Sequence, residues 1–260
     1  MSLEVEPRAQ PSPRERPGLE IFAVLGVSLG MSAIYAILSI IRTEITVSGG
    51  IGATTATVIS GTHTTYPLLD LADDLANILN GLAPPLLALV LLARNPAGLG
   101  FGVGFDLRQK WRDVRAGVGF LAVIGIPGLA LVYAAHRSGL NASLQVVSIP
   151  DVWYRVPYLL LSAFQNGLSE EIIMIAFLLT RLRQLGWSNQ RAIAPEALIR
   201  GSYHLYQGFG GFAGNFVMGI IFGWWFQRTR RVMPLVIAHF LLDAISFIGY
   251  VYLHNRISWI

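Results

Sequence analysis

Apolar residues run along this chain in long blocks, and most charged residues fall between the blocks. A hydrocarbon core about 30 Å thick is crossed by roughly 20 helical residues, and segments 21–41 and 116–135 meet that length without interruption. Segment 65–93 is longer, with Asp70, Asp73 and Asp74 in its first half and Ala-Pro-Pro at 83–85. It predicts one helix with a solvated polar start at the outer interface, kinked near Pro85. Segment 156–179 is a further span interrupted by Glu170 and Glu171. Segment 189–206 is the weakest, since Arg191, Glu196, Arg200 and His204 break it, and segments 212–226 and 232–252 complete the set. The expected fold class is all-α: a polytopic membrane protein of seven to eight transmembrane helices.

Composition agrees with this pattern. Hydrophobic residues make up 53% of the 260 and charged residues only 13%, against about a quarter charged in soluble domains. The absence of cysteine excludes disulfides, thiolate catalysis and cysteine-ligated zinc. The net charge of +4 comes from 18 Arg and one Lys, clustered between apolar runs as topology signals; no nucleic-acid partner is expected.

Residues 1–18 are rich in Pro and charge and predict a disordered cytoplasmic tail, leaving 19–260 as an integral membrane domain. With the N-terminus inside, the inner loops 94–115, 181–191 and 227–231 carry most of the basic residues, provided that 189–206 crosses. Outer loops 42–64, 136–155 and 207–211 hold only Arg42, Arg137 and Arg155. The expected location is a cell membrane, namely a bacterial inner membrane. Glycine pairs at four-residue spacing (Gly26/Gly30, Gly210/Gly214, Gly219/Gly223) suit close helix packing. The aromatic run 222–226 reads as interfacial anchors. His63, His136 and His254 fall in loops or ends and receive no role.

Ionised side chains at mid-bilayer cost several kcal/mol, so they face a protein interior or a watery cavity. Here they cluster on three segments: Glu170 and Glu171, Arg200 and His204, His239 and Asp243. At 1.5 Å per residue, Glu170 lies roughly 15 Å from the end of its span, His204 about 20 Å from the start of its own, and His239 and Asp243 roughly 10–17 Å in. His239 and Asp243 share a helix face, as do Arg200 and His204, whereas Glu170 and Glu171 diverge by about 100°. A poorly hydrated carboxylate can act as general base toward water, and a nearby His can orient that water or protonate a leaving amine. A second His or an amide can stabilise an oxyanion.

At these residues the chain resembles the CAAX prenyl protease and bacteriocin-processing family, the Abi family of intramembrane glutamate proteases. "EEIIMI" supplies Glu170 and Glu171, "RGSYH" supplies His204, and "HFLLD" supplies His239 and Asp243, in the family's order across about 156–250. The resemblance implies that Glu170 and His204 activate water, that Glu171 supports them, and that His239 and Asp243 form the oxyanion side. It implies a membrane peptide or protein substrate, with no cofactor and no metal. Two positions depart from the pattern: the family's Arg is Ile175 here, and the Phe of its second motif is Arg200. Arg200 is therefore expected to replace the missing charge beside Glu171 or Glu170, or else to pair only with Glu196, four residues earlier. The rival readings are an inactive scaffold or regulator, a metal-dependent hydrolase lacking the zincin spacing, and a transporter, for which no internal repeat is found.

Overall fold

The computed structural model describes residues 16–61, 64–93, 101–254 and 256, and it is almost entirely helical. The chain forms α1 (Pro17–Gly26), α2 (Leu29–Thr46), α3 (Pro67–Leu92), α4 (Lys110–Arg137), α5 (Arg155–Glu170), α6 (Leu179–Gln184), α7 (Asn189–Tyr203), α8 (Phe209–Thr229) and α9 (Met233–Leu253). Among the described residues, five helices are long and apolar enough to cross a membrane: α2, α3, α4, α8 and α9. Between α5 and α6 the chain stays helical as a π-helical segment, Glu171–Leu178. The three pieces make one long rod through the centre of the bundle.

Expectation and structure part company at several points. The apolar run 21–41 is not one span: α1 ends at Gly26, Ser28 adopts a non-helical backbone and α2 starts afresh at Leu29. Ser28 Oγ donates to the carbonyl of Val24, holding the break in place. Most of the expected tail, residues 1–15, lies outside the described residues, while Pro17 and Gly18 already open α1. Two of the three aspartates at the start of α3 are not solvated. Asp70 accepts hydrogen bonds from the backbone N–H and hydroxyl of Thr64, Asp74 is fully buried, and only Asp73 is exposed.

Pro84 and Pro85 sit inside α3 without ending it. Each lacks the N–H that the carbonyl four residues earlier would accept, which frees the carbonyls of Asn80 and Gly81. Ser169 of α5 supplies one missing donor, its hydroxyl bonding the Gly81 carbonyl at 3.1 Å. A cavity of about 570 Å³ opens between this stretch, the α1–α2 break and α5.

The loops expected to be irregular include a two-stranded parallel pair, β1 (Thr55–Ile59) and β2 (Ser143–Val147), with Thr55 opposite Ser143 and Ile59 opposite Val147. The pair caps one end of the bundle, where Val146, Val147 and Ile149 pack on Ile78, Tyr158 and Phe247. The basic loops gather at the other end: Arg231 binds Asp106 and Asp113, Arg183 reaches Gln227, and Arg230 reaches Thr180. α7 starts at that basic end. The turn after it meets the capped end, where Gly208 pairs with Asn141. Arg181, expected in a basic loop, is instead buried and ion-paired to Glu20 of α1 at 2.7 Å.

The small-residue pairs divide as packing dictates. A methyl on Gly219 would lie 2.9 Å from a Glu196 carboxylate oxygen and 3.0 Å from Ala197 Cα, and one on Gly223 would meet Ile193 at 3.0 Å. These glycines let α8 lie against α7. Gly210 gives α8 the same closeness to Ala135 of α4, whereas Gly26 has open space around it and serves no such contact. The aromatic run is likewise mixed. Phe222 and Phe226 are core residues, not anchors, and only Trp224 is well exposed.

All eight residues of the π-helical segment are buried, and the seven apolar ones, 172–178, belong to the main hydrophobic cluster with Val24, Leu89, Phe222 and Leu235. The stretch that follows the glutamate pair is therefore enclosed by packed side chains on every face.

Candidate active site

The local backbone explains how two adjacent glutamates serve one site. Glu170 is the last residue of α5 and Glu171 the first of the π-helical segment. A π-turn widens a helix, and such turns recur at functional sites. Here both carboxylates turn toward α7 and α9, although neighbouring α-helical residues would diverge by about 100°.

Glu170 Oε2 is a convergence point. It accepts a hydrogen bond from the Tyr203 hydroxyl at 2.7 Å and a longer one from Arg200 Nη1 at 3.4 Å. His204 Nε2 stands 3.6 Å from the same oxygen and His239 Nε2 4.0 Å. The two imidazoles arrive from different helices: His204 closes α7, and His239 lies inside α9. Among the described residues, neither ring nitrogen of His204 has a hydrogen-bond partner, although both are buried. The ring packs against Tyr203, 4.8 Å between centroids, and stacks on Tyr206 at 6.4 Å. Aromatic contacts hold the ring on one side, and the polar atom nearest to its Nε2 is Glu170 Oε2.

Glu171 is fully buried. Arg200 grips it with two parallel bonds, Nη1 to Oε1 at 2.9 Å and Nη2 to Oε2 at 3.1 Å. Glu171 Oε1 also lies 2.7 Å from His239 Nδ1. Because the carboxylate accepts and Arg200 already donates to it, Nδ1 is the protonated nitrogen in this contact and Nε2 is turned toward Glu170 and Asp243. Asp243 Oδ1 stands 3.9 Å from that Nε2, and its Oδ2 accepts from the Asn166 side-chain amide at 3.3 Å.

Arg200 is itself wholly enclosed. Its Nε donates to Glu196 Oε1 at 2.9 Å, and its guanidinium carbon lies 5.9 Å from the Phe222 ring centroid. The pairing with Glu196 and the pairing with Glu171 are thus made at once, by different nitrogens of the same side chain. Ile175, where the family motif carries its Arg, is fully buried among apolar neighbours and offers Glu171 nothing.

All six residues singled out in the sequence, Glu170, Glu171, Arg200, His204, His239 and Asp243, meet in this one cluster. Three further members carried no motif. Tyr203 reads as an ordinary aromatic beside His204. Glu196 shows only as an i−4 partner of Arg200, and Asn166, one turn before Glu170, is an uncharged residue at the helix spacing that shares its face. Among the described residues, no group of three or more His, Asp or Glu side chains is arranged to hold a metal ion.

Residues 152–245 match the family model described as Type II CAAX prenyl endopeptidase Rce1-like. The match runs from just before α5 to within α9 and includes every residue of the cluster, in agreement with the resemblance carried by the three motifs. No curated protein and no solved structure matches the chain.

Proposed function

We propose that the chain is an intramembrane endopeptidase in which Glu170 activates water for direct attack on a peptide bond. The observation that carries this reading is the crowding of Tyr203, His204, His239 and Arg200 around the single oxygen Glu170 Oε2. A water held between that oxygen and His204 Nε2 can give its proton to the carboxylate as it attacks the scissile carbonyl. His204 orients the water and then relays the proton held by Glu170 to the leaving amine as the C–N bond breaks, which returns Glu170 to its ionised form. Tyr203 fixes the rotamer of the base with a charge-assisted hydrogen bond.

Charge developing on the carbonyl oxygen falls on the side of His239 and Asp243. Glu171, locked by Arg200, orients the His239 ring through Nδ1, in the manner of a carboxylate that sets a catalytic imidazole's tautomer. Asn166 contributes an amide donor beside Asp243, where a carboxylate alone would repel an oxyanion. No covalent intermediate and no cofactor enters these steps, and Arg200 does from α7 what the family's Arg does from the glutamate helix.

The family suggests peptides with prenylated C-terminal motifs, or small peptides matured at the membrane, as substrates. The test is hydrolysis of such peptides by the purified chain in proteoliposomes, with and without a chelator. The reading predicts chelator-insensitive cleavage that falls by about 10²–10⁴ in Glu170→Gln. Cleavage that stops on chelation would sink it in favour of a metal-dependent hydrolase.

A further inference from the structure

The basic end of the bundle holds a second polar pocket, built from residues that the carboxylate cluster does not use. It measures about 200 Å³ and lies between the first turns of α4 and the last turns of α8, with Gln109, Arg112, Asp113, Trp225, Arg228 and Arg231 among its walls. Arg231 is spoken for: its Nε and Nη2 take both oxygens of Asp113, at 3.0 and 2.7 Å. That closed pair neutralises the one carboxylate in the lining.

The other two arginines have no carboxylate partner among the described residues. Arg112 meets only Gln109 Oε1, at 3.3 Å, and Arg228 lies over the ring of Trp224 at 4.1 Å. Trp225 adds a buried indole N–H that also lacks a partner among the described residues. The lining is therefore rich in donors and carries an excess of positive charge.

Its level in the membrane is marked by the helices themselves. Trp111, next in the chain to Arg112, and Trp224, under the Arg228 guanidinium, are 69% and 48% exposed, and exposed tryptophans of spanning helices settle at the headgroup boundary. From there toward the bundle centre, Val114 and Val118 on α4 and Val217 and Ile220 on α8 form an outward apolar wall. Donors at headgroup level above an apolar wall match a molecule with a phosphate at one end and hydrocarbon at the other. Guanidinium groups bind phosphate oxygens in paired, charge-assisted bonds, and basic pockets between helices at a membrane face recruit anionic headgroups.

We propose that this pocket binds the phosphate of an anionic phospholipid, with Arg112 and Arg228 as its ligands and the α4–α8 wall as the bed of its acyl chains. The inference stands apart from the hydrolytic reading and survives if that reading fails. The full chain in phosphatidylcholine nanodiscs, with or without phosphatidylglycerol, tests it through thermal unfolding. Binding to the folded state raises the melting temperature, so phosphatidylglycerol should raise it by several degrees. Arg112→Gln with Arg228→Gln should lose most of that rise while melting as wild type in phosphatidylcholine alone. If the double variant does not fold, Arg228→Gln alone, read by retention of phosphatidylglycerol in native mass spectrometry, should show at least a several-fold loss. An equal lipid effect in wild type and variant overturns the proposal. So does inorganic phosphate in phosphatidylcholine discs producing the same rise, which would assign the pocket to a soluble anion.

Discussion

Arg200 and Arg231 each bind more than one carboxylate, yet they sit in opposite electrostatic situations. Arg231 lies between α8 and α9 at the end of the bundle, 13% exposed, and faces Asp106 and Asp113. Both aspartates are fastened to it, and Arg112 and Arg228 stand nearby without a carboxylate partner among the described residues. Arg200 is fully buried in the middle of the bundle and faces Glu171, Glu196 and, more distantly, Glu170. One guanidinium cannot neutralise three carboxylates, and burying such a set is expensive. The first arrangement clamps two loops. The second gathers three carboxylates around one guanidinium beside two imidazoles, and buried ionisable clusters of this kind concentrate at functional sites.

Removing the guanidiniums separates the two most sharply. Arg200→Phe strands Glu171 and Glu196 in the core and should cost about 3–5 kcal/mol of stability, read by thermal or denaturant unfolding in detergent. Adding Ile175→Arg and Glu196→Gln restores one cation beside Glu171 and leaves no carboxylate stranded. This triple variant should be more stable and more active than Arg200→Phe alone, and a less active triple variant would refute the idea that Arg200 stands in for the motif Arg.

Arg231→Gln should cost less, about 1–3 kcal/mol, because Asp106 keeps 12% exposure and the new Gln can still donate a hydrogen bond to the enclosed Asp113, and specific activity per folded molecule should be unchanged. Burial pushes the Asp106 carboxyl up, but the Arg108 backbone N–H and the Arg231 guanidinium outweigh it and hold the group below its ordinary 3.8. A depressed carboxyl stabilises the fold above its unfolded value and loses that contribution only as pH falls through the folded one. The difference between wild type and Arg231→Gln should therefore stay constant from neutrality down to about pH 5, and a gap that closes in that interval would contradict the pairing.

Gly219→Ala touches the central cluster alone and most gently. Its methyl presses on Glu196 and Ala197, so α8 must retreat from α7 at a cost of about 1 kcal/mol. Because Glu196 braces Arg200, activity should fall by more than the stability loss explains, whereas Gly26→Ala, in open space, should change neither.

The charged groups of the central cluster were legible because each one breaks an apolar run, and breaks at helix spacing point to a shared face. What hydropathy hid is instructive. Asn166 and Tyr203 are too mild to interrupt a span, so their i−4 and i−1 relations to Glu170 and His204 went unweighted. The α-to-π change at Glu171 leaves no mark in an Ile-rich sequence, since tertiary packing sets the width of a buried helix. Ser28 breaks the first span by local backbone geometry that an average over twenty residues erases. β1 and β2 hold β-branched residues between turn residues, a readable signal, but their pairing joins loops 88 residues apart, as the Thr57–Gln145 side-chain contact shows. Phe222 and Phe226 looked like anchors because composition does not tell the inner face of α8 from the outer.

Whether Glu170 acts as a catalytic base, and the cluster is more than packing, is decided by comparing membrane peptides and protein C-termini from cells making equal amounts of wild-type and Glu170→Gln chain. A catalytic Glu170 gives a defined set of cleaved C-termini with the wild type that is absent with Glu170→Gln, although the variant accumulates and melts as the wild type does. Identical C-termini from both cells would show that the chain keeps the fold of a membrane peptidase without its chemistry.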